Sequence, residues 1–122
     1  NGQELREGVD YELAPGRLLL KTPVDGAVVQ TVVDLVPEEN TQLSGLYKDE
    51  ASAMYCTQCE AMGFRRITYY PDRPDNMATF TSVRLEADKE RYPILLSNGN
   101  RLDQGTVPED DSRHYAIWSD PF

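Results

Sequence analysis

Thr79-Phe80-Thr81-Ser82-Val83-Arg84-Leu85-Glu86-Ala87 is the stretch on which the fold turns. Thr81, Val83, Leu85 and Ala87 alternate with Ser82, Arg84 and Glu86. Successive side chains of a strand point to opposite faces, so this period of two describes a half-exposed strand with one apolar side. Toward the C-terminus, Tyr92 to Leu96 leads into Ser97-Asn98-Gly99-Asn100. Asn-Gly is a strong hairpin signal because both residues tolerate positive φ, so Arg101 to Val107 is expected to pair back on Tyr92 to Leu96. Glu109-Asp110-Asp111-Ser112 reads as a solvated loop, and His114 to Ser119 as a last strand with Trp118 as its largest buried candidate.

Toward the N-terminus, Ala61 to Asn76 is irregular, because Pro71 and Pro74 leave room for a turn or a single helical turn and nothing longer. Ala53 to Glu60 and Leu43 to Lys48 read as strands separated by Asp49-Glu50. Ala27 to Val36 alternates, with Val29, Thr31, Val33 and Leu35 on one face, and is expected to be a strand ended by Pro37-Glu38-Glu39-Asn40. Arg17 to Thr22, after the turn signal Pro15-Gly16, is expected to be another. Eight Gly and eight Pro divide the chain into short segments, and no helical stripe exceeds about two turns. The expectation is a mainly β, antiparallel fold.

The 122 residues are enough for one domain with a core of its own. Lys and Arg number 12 against 21 Asp and Glu, a net charge of -9 that repels phosphate backbones and anionic bilayers, so neither nucleic acid nor membrane is expected as a partner. Apolar runs as short as Leu18-Leu19-Leu20 fall far below the roughly 20 residues of a membrane span. Asn1 in place of Met, and an end directly after an apolar stretch, lead us to expect a piece of a longer protein.

Cys56 and Cys59 form a Cys-x-x-Cys pair. If Ala53 to Glu60 is a strand, the two face opposite sides about 10 Å apart at ~3.3 Å per residue. A disulfide needs Cα atoms within about 7 Å. A zinc site would need two further ligands, where the chain offers no third Cys and only the distant His114. Two free thiols are therefore expected, which favours the cytoplasm. His114 is the only histidine and no nucleophile elbow accompanies it, so it reads as a strand-start residue. No glycine-rich phosphate loop is present. Gln58 and Glu60, two apart on the same strand, place an amide and a carboxylate about 7 Å from each other. Spacing alone leaves them open to two uses, holding an ammonium group or forming a solvated strand face. Arg65-Arg66 and Asp72-Arg73-Pro74-Asp75 read as ion pairs that stabilise a turn.

From Thr57 to Glu86 the chain runs TQCEAMGFRRITYYPDRPDNMATFTSVRLE. This resembles the N-terminal domain of zinc-dependent aminopeptidases of the aminopeptidase N family, in its bacterial branch. The resemblance rests on order: Thr-Gln-x-Glu-Ala, a doubled Arg, an aromatic-Pro-Asp-x-Pro turn, then Ala-Thr-Phe-Thr opening a strand. It continues through Tyr92 to Asn100 and on to Trp118-Ser119-Asp120-Pro121-Phe122, and more loosely back to Asn1. Pro71 to Asn76 departs from the Asp-Glu-Pro-aromatic-Lys turn of many relatives and points to a sub-branch. The resemblance implies a saddle-like antiparallel β-sandwich, incomplete here because the family domain starts before Asn1 and continues past Phe122. Residues 1–122 would then be a single domain, a portion of the N-terminal β-domain, with the catalytic domain absent from the chain. It implies that Glu60 binds the free α-amino group of a peptide substrate and that Gln58 lines the pocket for its first side chain. Zinc would belong to the parent enzyme and no cofactor to this chain. The expected partners are the substrate's N-terminus and the parent's catalytic domain. A homodimer through exposed strand edges, most plausibly those of Ala27 to Leu35 or Arg17 to Lys21, is expected as well. The competing reading is a stand-alone β-sandwich module that binds another protein without catalysis.

Overall fold

Strands persist where their backbone donors and acceptors find a ladder partner, and partners decide which of the expected strands form. The computed structural model describes residues 2–22 and 25–121; Asn1 and Phe122, at the ends of the matching run, lie outside the described residues, as do Pro23 and Val24. The fold is mainly β with antiparallel sheets, in two compact units, Asn1–Asn76 and Met77–Phe122.

In the first unit, β1 (Tyr11–Ala14) pairs with β2 (Arg17–Leu20) across Pro15-Gly16, and Lys21 holds Glu12 at 2.8 Å. β1 was not legible as a strand, since Tyr-Glu-Leu-Ala is too short to show a period. The strand expected over Ala27 to Val36 does not form; these residues carry no strand ladder. Their alternation reports two faces, but alternation supplies no partner, and the sheet edge expected there for a homodimer is absent with the strand. A 3₁₀ turn at Pro37–Glu39 follows, and Asn40 then donates its amide to the Ser44 and Leu46 carbonyls, both at 2.8 Å. β3 (Gly45–Asp49) and β4 (Met54–Gln58) make an antiparallel hairpin in which Gly45 faces Gln58 and Asp49 faces Met54. Asp49 closes its turn by accepting from the Ser52 amide at 3.0 Å and from the Ser52 hydroxyl. Those donors hold the Asp49 carboxyl below its ordinary range.

In the second unit, β7 (Asp110–Asp120) is the centre of a three-stranded sheet between β5 (Phe80–Asp88) and β6 (Asn100–Val107). From Ser82 on, β5 behaves as its alternation requires: Val83, Leu85 and Ala87 are half-buried while Ser82, Arg84 and Glu86 are exposed, but Thr81, expected on the apolar side, is exposed where the register with β7 shifts between Phe80 and Val83. β6 pairs with β7, not with Tyr92 to Leu96 as expected. The tight turn is Pro108-Glu109, so Asp110 to Ser112, expected as loop, already belong to β7. Gly99 has φ +78°, as the Asn-Gly signal suggests, but a Cβ there would meet the Ser119 carbonyl oxygen at 2.0 Å. The glycine is required by close approach to β7 rather than by a hairpin.

Ala116, 4% exposed, is the apolar side chain buried among the described residues, and Trp118 is only half-buried with its indole N–H sequestered and unpaired. Among the described residues the core expected from chain length is thus not formed: Val28 and Met77 are 97% and 90% exposed. In the first unit, two-stranded sheets of four- and five-residue strands have too little area to enclose side chains such as Val28. Among the described residues no helix is long and apolar enough to cross a membrane.

Candidate functional site

Gln58 is the last residue of β4, and the strand stops there, two residues short of the expected end at Glu60. Glu60 opens a turn running to Gly63, so the two side chains do not share a strand face as their spacing suggested. They meet in another way: the Gln58 amide Nε2 donates to the Glu60 backbone carbonyl at 3.4 Å. The turn closes with a bond from the Gly63 N–H to the Cys59 carbonyl at 2.8 Å, and the Glu60–Ala61 peptide is cis. Gly63 is buried, and a Cβ on it would sit 2.3 Å from the Gln58 carbonyl oxygen and 3.0 Å from the Cys59 Cα. Only glycine lets the chain fold back this tightly on the strand end.

The 3₁₀ turn Phe64–Arg66 continues directly from it, with the Arg66 N–H on the Gly63 carbonyl at 3.0 Å. Its length agrees with the single helical turn that the prolines allowed. On one side it lies against the start of β3, where a Cβ on Gly45 would meet that of Arg66 at 2.7 Å. On the other side it is tied to the loop beyond. The Arg65 N–H and Nε both donate to Asp72 Oδ2, at 3.0 and 3.2 Å, and a terminal guanidinium nitrogen donates to the Asp72 carbonyl at 2.6 Å. Phe64 meets Tyr70 edge to face with ring centres 4.8 Å apart. The turn-stabilising ion pairs expected here are present, Arg65 with Asp72 and Arg73 with Asp75. What the sequence did not reveal is that Gly63 and Asp72 fix the turn carrying Glu60. An isolated Gly just after a strand, and an Arg and an Asp seven apart across a proline, are the signals that could have shown it.

Electrostatically the site contains a paired and an unpaired acid. Asp72 is neutralised by Arg65, whereas the Glu60 carboxylate has no hydrogen-bond or ion-pair partner among the described residues. Cys59 is free, as is Cys56, and Cys59 lies beyond the strand rather than in it. Burial, reinforced by the Asp72 charge, pushes the Cys59 thiol above its ordinary range, which makes it a poor nucleophile. His114, in the other unit, sets its Nε2 against the Tyr92 carbonyl at 2.7 Å, a structural bond. Among the described residues no three His, Cys, Asp or Glu side chains gather to hold a metal ion. A cavity of about 230 Å³ on the first unit is lined by Leu35, Val36, Pro37, Asn40, Leu46 and Arg66, and neither Gln58 nor Glu60 reaches it. The arrangement can therefore present an exposed carboxylate on a closely held backbone turn, a group able to accept from an ammonium.

The peptidase M1 N-terminal domain family matches residues 21–122. Aminopeptidase N from Caulobacter vibrioides is 46% identical over 122 residues, all of this chain and 13% of that protein. Aminopeptidase N from Haemophilus influenzae is 51% identical over 94 residues, 77% of this chain and 10% of that protein. Its Escherichia coli counterpart is 46% identical over 107 residues, 88% of this chain and 12% of that protein. This chain thus spans 10 to 13% of the length of these curated relatives. Among solved structures, that of Legionella pneumophila aminopeptidase A in complex with aspartic acid superposes with a TM-score of 0.71 at 30% identity, covering 94% of this chain and 13% of that one.

Proposed function

The chain belongs to the peptidase M1 N-terminal domain family, and we propose that it is the substrate-recognition part of a zinc aminopeptidase that removes N-terminal residues from peptides. In this reading Glu60 binds the free α-amino group, Gln58 lines the pocket for the first side chain, and the zinc and its ligands belong to a catalytic domain elsewhere in the enzyme. The observation that carries it is the unpaired Glu60 carboxylate on a turn locked by Gly63 and by the Gln58 amide. An exopeptidase needs a fixed anion at a set distance from the scissile bond, because a free amino terminus is what distinguishes the first residue from the rest. The free thiols of Cys56 and Cys59 support a cytoplasmic setting. The exposed side chains of Val28, Val32, Met77 and Ile94 support packing against the remainder of the enzyme.

A charge-assisted hydrogen bond from the substrate ammonium contributes about 1.5–3 kcal/mol net, or roughly tenfold to 150-fold. Replacing Glu60 with Ala in the aminopeptidase that carries this chain should lower kcat/KM for peptides with a free amino terminus by about that factor. Unchanged kinetics would overturn the role given to Glu60.

A further inference from the structure

We infer that Asp72 is a positioning residue for amino-terminus recognition: through Arg65 it pins the Phe64–Arg66 turn and so fixes where Glu60 presents its carboxylate. This rests on the reading of Glu60 given above. Asp72 is poised for the task by its contacts. Its side chain is 12% exposed, although it lies in a loop of exposed residues, and it accepts two bonds from Arg65 while its carbonyl accepts a third. Three donors from one residue, one of them a backbone N–H, define both the position and the rotation of the segment that bears them. That segment has no slack toward Glu60. Arg66 is bonded to Gly63, Gly63 to Cys59, and Gly63 stands against the Gln58 carbonyl, so a shift of Arg65 passes to the turn beginning at Glu60. The neighbouring pair, Arg73 with Asp75, offers the contrast: its side chains are 71% and 65% exposed and it holds nothing else in place.

The pairing also has an electrostatic consequence. Asp72 cancels the Arg65 charge within the turn.

The test is a double-mutant cycle in the aminopeptidase that carries this chain, using Glu60→Ala, Asp72→Asn and both together, on a peptide with a free amino terminus. Asp72→Asn should lower kcat/KM by roughly tenfold, since small misplacements of a binding group cost that order of rate. In the Glu60→Ala background the same change should cost less than about twofold, because there is no longer a carboxylate to position. Arg73→Ala should leave both kcat and KM unchanged. Equal losses from Asp72→Asn in both backgrounds would assign it a purely structural role and overturn the inference. A loss with Glu60→Ala but none with Asp72→Asn would overturn the inference and leave the role of Glu60 standing. No loss with Glu60→Ala would overturn both. Should Asp72→Asn fail to fold, Arg65→Lys, which keeps the charge and loses the fork, decides the matter by the same cycle. A second readout does not depend on activity: in Asp72→Asn the pH midpoint for alkylation of Cys59, followed by mass spectrometry, should fall, and an unmoved midpoint would contradict the placement of Asp72 beside the end of β4.

Discussion

Gly63→Ala probes the turn that carries Glu60. The backbone at Gly63 has φ -91° and ψ -19°, which alanine adopts freely, so any cost comes from the methyl group alone. That carbon would lie 2.3 Å from the Gln58 carbonyl oxygen, 3.0 Å from the Cys59 Cα and 3.1 Å from the Ser44 Oγ. Relaxed carbon contacts are found near 3.5–4.0 Å, so the Gln58 carbonyl must retreat by about 1.2 Å or more. It is backbone at the end of a paired strand, and its retreat opens the 2.8 Å bond from Gly63 to Cys59. Overpacking of this kind costs about 1–3 kcal/mol, and the lost bond about another 1 kcal/mol, for a total of roughly 2–4 kcal/mol. For a chain of this size that corresponds to a fall of about 10–25 °C in Tm. Circular dichroism melts of the two proteins measure it, with Gly105→Ala as the comparison. A Cβ on Gly105 meets only the edge of the Tyr115 side chain at 3.2 Å, so its cost should stay below about 1 kcal/mol. A Gly63→Ala protein melting within about 2 °C of the parent would refute the tight closure of the turn, and with it the argument that Glu60 is rigidly held.

Other expectations follow from the same contacts. The Asp49 carboxyl is held low by Ser52, so its contribution to the β3–β4 hairpin is present above the ordinary Asp value of 3.8 and is lost as pH falls through the lowered value. The stability gap between the parent and Ser52→Ala, read from urea midpoints, should therefore be open at neutral pH and shrink as pH falls below 3.8 through the lowered value; a gap independent of pH would contradict it. The Cys59 thiol is raised by burial and by Asp72, so its alkylation should have a midpoint above the ordinary thiol value of 9.0, and a midpoint below that value would show the burial to be wrong. Gly99→Ala should destabilise the second unit by at least about 2 kcal/mol, combining positive-φ strain with the contact to Ser119, and an unchanged melt would show that β6 does not enter the sheet this close to β7.

The strands that sequence alone revealed are those whose alternation coincides with a real partner. Val83, Leu85 and Ala87 face inward on β5 because β7 lies alongside, with Leu85 opposite Ala116. Ala27 to Val36 shows an equally clean alternation and forms no strand, since period reports amphipathicity and not pairing. Asn98-Gly99 gave the positive φ correctly at Gly99 but not at Asn98, and the partner wrongly, because the glycine answers to a backbone distant in sequence. The site was legible as residues but not as geometry. Gln58 and Glu60 could be singled out as candidates, while the end of β4 between them is set by Gly63 folding back, an approach that local spacing does not encode. The Arg65–Asp72 pair could be read as an ion pair, but its hold on the turn depends on a backbone N–H and a carbonyl that carry no sequence signature.

The most direct test of the central claim is a crystal structure of the full-length protein that carries this chain, with a non-hydrolysable dipeptide analogue bearing a free α-amino group. The account places the ammonium nitrogen within about 2.7–2.9 Å of a Glu60 carboxylate oxygen, the distance of a charge-assisted hydrogen bond. An ammonium held by other acids, with Glu60 more than about 4 Å away and facing solvent, would contradict it.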